Sequence, residues 1–255
     1  MSNLGGGSGG VPWAIGAADG VVAGWSCINK FGENTAITTS TDPEDIWDVG
    51  GLWVIPAAGT ASIVSTDDED GGAGTDTGTL TIRVEGLDES YAVQSVDVTM
   101  NGTTPVVTTE SWSIIHRMRQ LTNGTPGGTN IGVIAATVDS KTVAQISAGN
   151  GQTLMAIFGV ASGQKLFITA MATAIARATS SAAADISLRV IEDFGTSNVL
   201  NLKHSVAAVS TGSNSVNRRF DPPKLVTGPA VVIMRVDNVT ATINVHGSFD
   251  GFLKG

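Results

Sequence analysis

One cysteine, one tyrosine and three histidines are all that 255 residues contain of those types, and charged side chains are scarce. A lone Cys27 cannot close an internal disulfide, so oxidising export is neither needed nor indicated. Its expected place is a small, buried, apolar position. Charged residues make up 15% of the chain, against roughly 25% in an average soluble domain. Long apolar runs are missing too. The nearest, "KLFITAMATAIARATSSAAADISL", is interrupted by Arg177 and by polar residues, short of the about 18 uninterrupted apolar residues that suggest a membrane helix. The opening "MSNLGGGSGG" lacks the basic and apolar regions of a secretory signal, so residues 1–12 are expected to be a flexible tail. Membrane insertion is not expected.

What is abundant is Gly, Thr, Ser, Ala and Val, a small-residued composition that suits tightly assembled β proteins. The length allows one large β domain or two, each able to bury its own core without a metal or disulfide. Charge is unevenly placed: residues 1–110 carry a net −14 and residues 111–255 a net +5, within a total of −9. The acidic half disfavours nucleic acid, and the basic half lacks the dense Lys/Arg clusters that neutralise phosphates.

Short Thr/Val/Ile-rich runs recur between turn signals. "TGTLTIRVEGLD" predicts a strand; "YAVQSVDVTM", then Asn101-Gly102, then "TTPVVTTESWSII" predicts a hairpin with an Asn-Gly turn. Seven further runs from "KTVAQISA" to "ATINVHGSF" follow at roughly ten-residue spacing, a cadence of sandwiches and jelly rolls. "ITAMATAIARATSSAAADI" is rich in Ala, which favours helix. Its period-two interleaving of Thr169, Thr173 and Ile175 with small residues predicts a strand running into a loop instead. "QLTNGTPGGTN", 120–130, marks a boundary. The expected fold is therefore all-β, two β-sandwich or jelly-roll domains in tandem: an acidic one over 13–122 and a jelly-roll-like one over 131–255.

Several apparent motifs dissolve on inspection. Aligning Gly71 of "STDDEDGGAGTDTGT" with the sixth position of an EF-hand loop puts Thr66 at the first and Thr77 at the twelfth, where ligands are required. The tract is expected to be a solvated acidic loop that needs no metal. Ser8 in "GGSGG" lies in a glycine tail without the strand and helix of a nucleophile elbow. "GVASGQK" lacks the ending of a phosphate-binding loop. His116, His204 and His246 stand far apart with no metal-binding spacing. No cofactor and no catalytic residue is expected.

The densest cluster of charge around an aromatic is "INKFGENTAITTSTDPEDIWDVGG", 28–51. Its acids could face a cleft as an acid-base pair, or Trp47 could anchor in an apolar pocket while the acids face solvent or a basic neighbour. Anchoring is the simpler expectation. The longer stretch "WSCINKFGENTAITTSTDPEDIWDVGG" resembles the N-terminal signature of a widespread group of tailed-bacteriophage virion proteins, and "GNGQTLMAIFGVASGQKLFIT", "SLRVIED" and "HGSFDGFLKG" resemble the same group's second domain. The resemblance implies a non-enzymatic structural protein of the virion, a decoration, fibre-base or tail-associated component. Its implied partners are its own copies, a trimer foremost, and capsid or tail proteins. It implies an assembly role for Lys30, Phe31 and Gly32 of "KFG" and for Glu44, Asp45, Ile46, Trp47 and Asp48 of "EDIWD". The alternative is a receptor-binding or glycan-binding module of the particle, using Trp47, Trp53 or Trp112 as stacking platforms on a host surface glycan. A carboxylate-based glycan hydrolase would need two acids facing each other across a tryptophan-lined groove.

Overall fold

The computed structural model describes residues 13–176, 181–210 and 213–255; the expected N-terminal tail and the loop expected at "TSSAAAD", in its first residues, fall outside them. The described chain is all-β, as composition and cadence predict. One short helix, α1 (Trp13–Ala18), precedes sixteen strands. The first nine are β1 (Trp25–Ile37), β2 (Glu44–Asp45), β3 (Gly59–Ser65), β4 (Thr79–Leu87), β5 (Val93–Thr99), β6 (Val106–Trp112), β7 (Ile114–Asn123), β8 (Ile134–Val138) and β9 (Lys141–Ile146). Then come β10 (Ile157–Val160), β11 (Lys165–Ala176), β12 (Ala182–Glu192), β13 (Val199–Ser210), β14 (Ser213–Thr227), β15 (Ala230–Asp237) and β16 (Ile243–Lys254). The alanine-rich tract is strand on both sides of 177–180.

Four antiparallel sheets result. An outer sheet runs β1-β16-β11-β14, and a middle sheet runs β10-β15-β12-β13 with β2 attached to β15. The other two are β6-β3-β8-β9 and β5-β4-β7. One core fills the space between the outer and middle sheets, with Ile168, Leu188, Val232, Met234 and Phe249. The second joins the opposite face of the middle sheet, through Ile157, Ile191, Val231 and Ile233, to Ile63, Val84, Trp112 and Ile134 of the two smaller sheets. Successive side chains of a strand point to opposite faces, so β15, "AVVIMRVD", sends Val231 and Ile233 into one core and Val232 and Met234 into the other. Burial on both faces is why it reads as a continuous apolar run.

This topology corrects the expected division at 122/131. β8 and β9 lie beyond the 120–130 loop, yet β8 pairs with β3 and β9 extends the same sheet by pairing with β8. β1, from the expected N-terminal domain, pairs along its length with the C-terminal β16. Residues 59–146 thus form one sandwich, inserted between β1–β2 and β10–β16 of the other. The expected hairpin at Asn101-Gly102 is likewise replaced. The turn exists, with Thr104 N donating to Asn101 O at 3.0 Å, but β5 pairs with β4 and β6 with β3, so it carries the chain from one sheet to another. A two-residue hairpin turn lies at Asp139-Ser140, both with positive φ, between paired Val138 and Lys141. Cys27 is exposed, not buried. It sits on β1, at an edge of the outer sheet, opposite Phe252.

The acidic tract is also more built than a solvated loop. Asp70 is fully buried, accepting from Thr79 N (2.9 Å), Ile131 N (2.9 Å), Gly132 N (2.8 Å) and Ser65 Oγ (2.7 Å). Asp67, Asp68, Glu69 and Asp76 each accept from backbone N–H groups of the loop or of Thr103 beside it. The carboxylates order the turn by satisfying backbone donors that would otherwise lack partners.

Candidate functional site at the seam between the two sandwiches

"KFG" lies on β1, and "EDIWD" begins in β2 and continues past it. The two motifs meet at Gly32. A Cβ there would stand 2.4 Å from both Ile46 O and Ala156 N, a contact no side chain tolerates. Gly247, the cross-strand partner of Gly32, leaves room in the same way, since its Cβ would stand 2.7 Å from Ile46 Cδ1. Two facing glycines therefore make a window in the outer sheet into which Ile46 packs. The Ile46 backbone closes a circuit there: its N–H donates to Met234 O (2.9 Å), Met234 N–H donates to Ala156 O (3.1 Å), and Ala156 N–H donates to Ile46 O (2.9 Å).

The acids of the motif are held by the chain itself. Asp45 has no exposed surface. It pairs with Arg235 of β15, Nε to Oδ1 at 2.7 Å, and accepts from Trp53 N at 2.7 Å. Burial pushes its carboxyl above the ordinary range, against the pull of the Arg235 guanidinium and the Trp53 amide. Glu44 accepts from Asn34 Nδ2 (2.8 Å) and Gly51 N (2.7 Å). Asp48 accepts from Ser147 Oγ at 2.8 Å, while its Oδ1 is buried without a partner. Burial raises the Asp48 carboxyl to about 6. Trp47 is buried among the side chains of the second core, bridges to Met155, and donates from Nε1 to Gly51 O at 3.0 Å. The expected anchoring of Trp47 is what the structure shows, with Arg235 as the basic neighbour.

Lys30 points the other way, toward the inserted sandwich. It is 6% exposed and donates from Nζ to His116 O at the start of β7. It lines a cavity of about 320 Å³ at the junction, with Glu85, Gln94 and Arg117. Burial, then Arg117, lowers its ammonium to about 7 despite Glu85. The half-buried His116 beside it is held well below the ordinary histidine range, by desolvation first and then by Lys30 and Arg117. Its Nδ1 accepts from Gly159 N at 3.3 Å.

Among the eight residues expected at an assembly surface, then, Lys30, Gly32, Glu44, Asp45, Ile46 and Trp47 are buried inside the chain; Lys30 and Trp47 reach the inserted sandwich, whereas Gly32 and Ile46 pack between the outer and middle sheets of the larger one and Asp45 pairs with Arg235 within its middle sheet. Only Phe31 and Asp48 keep partial exposure, Phe31 lining a shallow depression on the outer sheet with Ala172, Asn217 and Ser248. Trp47, Trp53 and Trp112 are all core residues, so none of the three offers a stacking face. Among the described residues no three His, Cys, Asp or Glu side chains are grouped as metal ligands. Arg235 and His116 complete the site without having been singled out for it in the sequence. Arg235 has a signal, a charge inside the apolar run of β15, which demands a buried partner; the His116 carbonyl has none. No protein-family model matches the chain, and no curated protein matches it either.

Proposed function

We propose that this chain is a non-enzymatic structural protein of a tailed-phage particle, self-assembling, a trimer foremost, and attaching to capsid or tail as a decoration, fibre-base or tail-associated component. The observation that carries the reading is the meeting of "KFG" and "EDIWD" at Gly32 and Ile46. The residues of the resemblance are packed inside the chain, joining the outer sheet to the middle sheet at Gly32 and Ile46 and reaching the inserted sandwich through Lys30 and Trp47, which supports a motif that marks a shared architecture instead of a shared reaction. A low charge content and the long strands β13 and β14, at the edges of their sheets, support packing against further copies. Exposed Leu202 and Val209 on β13 and Leu225 on β14 add apolar area there.

The test has two arms. Light scattering on the purified chain should give a closed homo-oligomer, and an antibody should find the chain in density-purified particles at many copies. A monomer that is absent from particles would overturn the reading. A chain present only at the particle's host-facing tip, and binding host glycan, would favour the receptor-binding alternative.

A further inference from the structure

β13 and β14 are edge strands of the middle and outer sheets, at the open side of the larger sandwich. A cavity of about 330 Å³ opens there, lined by His204 of β13 and by Arg218, Arg219, Phe220 and Lys224 of β14, with Asp221 as its one acid. Three cations within seven residues are unusual in a chain of net charge −9. Among the described residues none of the three lies within 4.0 Å of a carboxylate, whereas eight other ion pairs form elsewhere. Uncompensated like charges held together repel, and a bound anion removes that penalty.

A second observation is independent of charge. His204 Nε2 is buried and has no hydrogen-bond partner. Its ring stands edge-on to Phe220, with centroids 5.1 Å apart, and Lys224 Nζ lies 5.5 Å from the centroid of that same ring. A buried polar atom with no partner inside the chain keeps an unused hydrogen-bonding capacity. His204 is held below the ordinary histidine range by burial, then by Arg218 and Lys224. Pro222 and Pro223 fall in the bulge where the β14 register shifts against β11, and their fixed φ stiffens the rim.

We propose that this cavity binds an oxyanion group, a phosphate, sulfate or carboxylate, held by the Arg218, Arg219 and Lys224 cations and by a hydrogen bond from His204 Nε2–H. Two guanidinium groups favour an acceptor with several oxygens. The same chemistry is carried by a free inorganic ion and by the acidic sugar of a glycan.

The experiment is a nitrogen-detected NMR titration of the full chain at low ionic strength with sodium phosphate, sodium sulfate and a sulfated disaccharide, following His204 Nε2. Saturable shifts are expected with a Kd of roughly 1–10 mM for the inorganic ions. Affinity should fall at least about tenfold in Arg218→Gln, an exposed position that leaves the core untouched, as read from the backbone amides. His204→Phe should keep the fold and lose binding comparably. Tighter binding of the disaccharide than of sulfate would assign the site to an acidic sugar, and equal binding to the free ion. Absence of saturation up to about 50 mM of every probe, or equal affinity in both variants and wild type, would overturn the proposal.

Discussion

Gly32 and Ile46 touch backbone to backbone: a Cβ on Gly32 would stand 2.4 Å from Ile46 O. This single approach joins the strand that carries one motif to the segment that carries the other, and it leaves no room for the smallest side chain. Gly32→Ala should therefore force β1 away from Ile46 and destabilise the chain by about 1–3 kcal/mol or more, the usual range for overpacking. Gly74→Ala is the control, because nothing lies within 4 Å of its Cβ position. Equal melting temperatures for the two variants would mean that the seam gives way freely at Gly32.

Asp45 of β2 and Arg235 of β15 form a buried ion pair within the middle sheet. Removing one partner of such a pair leaves the other charge uncompensated, at a cost of about 3–5 kcal/mol. Asp45→Asn and Arg235→Met should each lower stability by that order. The double variant should be less damaged than the sum of the two, since neither charge is then left alone. Denaturant titrations of the four proteins measure the coupling, and strict additivity would show that the pair contributes nothing as a pair.

The all-β class was legible because burial on one face writes a period of two, as in β4, where Ile82 and Val84 are buried and Arg83 and Glu85 are not. Strand partners were not. Asn101-Gly102 reports a tight local turn, and nothing within those residues says that the strands on either side belong to different sheets. The Asp139-Ser140 hairpin uses residues that tolerate positive φ less readily than Asn-Gly, so it gave a weaker signal. β1 pairs with β16 across more than two hundred positions, a relationship no local pattern encodes. β14 was hidden by Pro222 and Pro223, which an edge strand with a bulge accommodates. The seam was visible as a cluster of acids around a tryptophan, but its inward direction depends on Arg235, contributed from far along the chain.

Asp48 and Lys30 should make opposed contributions to the pH dependence of stability, with His116, held below its ordinary range, opposing Asp48 in the acidic window. Asp48 titrates at about 6 in the folded chain, above its ordinary 3.8. The folded state binds more protons between these values, so this contribution to stability falls as pH rises from about 4 to about 6. Lys30 titrates at about 7, below its ordinary 10.5. Here the unfolded state binds more protons, so stability rises between pH 7 and 10.5, by on the order of 4 to 5 kcal/mol for the full shift. Lys30→Met should flatten the upper slope and Asp48→Asn the lower one. Unfolding free energies measured from pH 4 to 10 that keep both slopes in both variants would assign them to other groups.

Asp70 satisfies three backbone donors and a serine hydroxyl with one carboxylate. Asp70→Asn turns an acceptor into a donor facing donors, and buried groups left without partners cost about 1–3 kcal/mol each. A loss of a few kcal/mol is expected, larger than for Asp76→Asn on the exposed part of the same loop. Chelation by EDTA should leave the wild-type melting temperature unchanged. A calcium-dependent rise would instead recruit these acids as ligands.

Ile233 and Met234 are neighbours on β15, yet they belong to different cores, Ile233 to the one shared with the inserted sandwich and Met234 to the one beneath the outer sheet. Both are buried, at 1% and 0% exposure. If β15 were lost from one core it would be lost from the other, because a strand cannot unfold on one face alone. The two sandwiches should therefore unfold in a single transition despite their separate sheets. Truncating a buried Ile or Met to Ala costs about 2–5 kcal/mol. Ile233→Ala and Met234→Ala should each lower the midpoint of that one transition, seen alike by tryptophan fluorescence, which reports Trp47, Trp53 and Trp112 of the second core and Trp13 and Trp25 beside the outer sheet, and by far-ultraviolet circular dichroism, which reports all the sheets. Two resolved transitions, with Ile233→Ala moving one and Met234→Ala the other, would show that the sandwiches fold independently and that the seam docks them without coupling them.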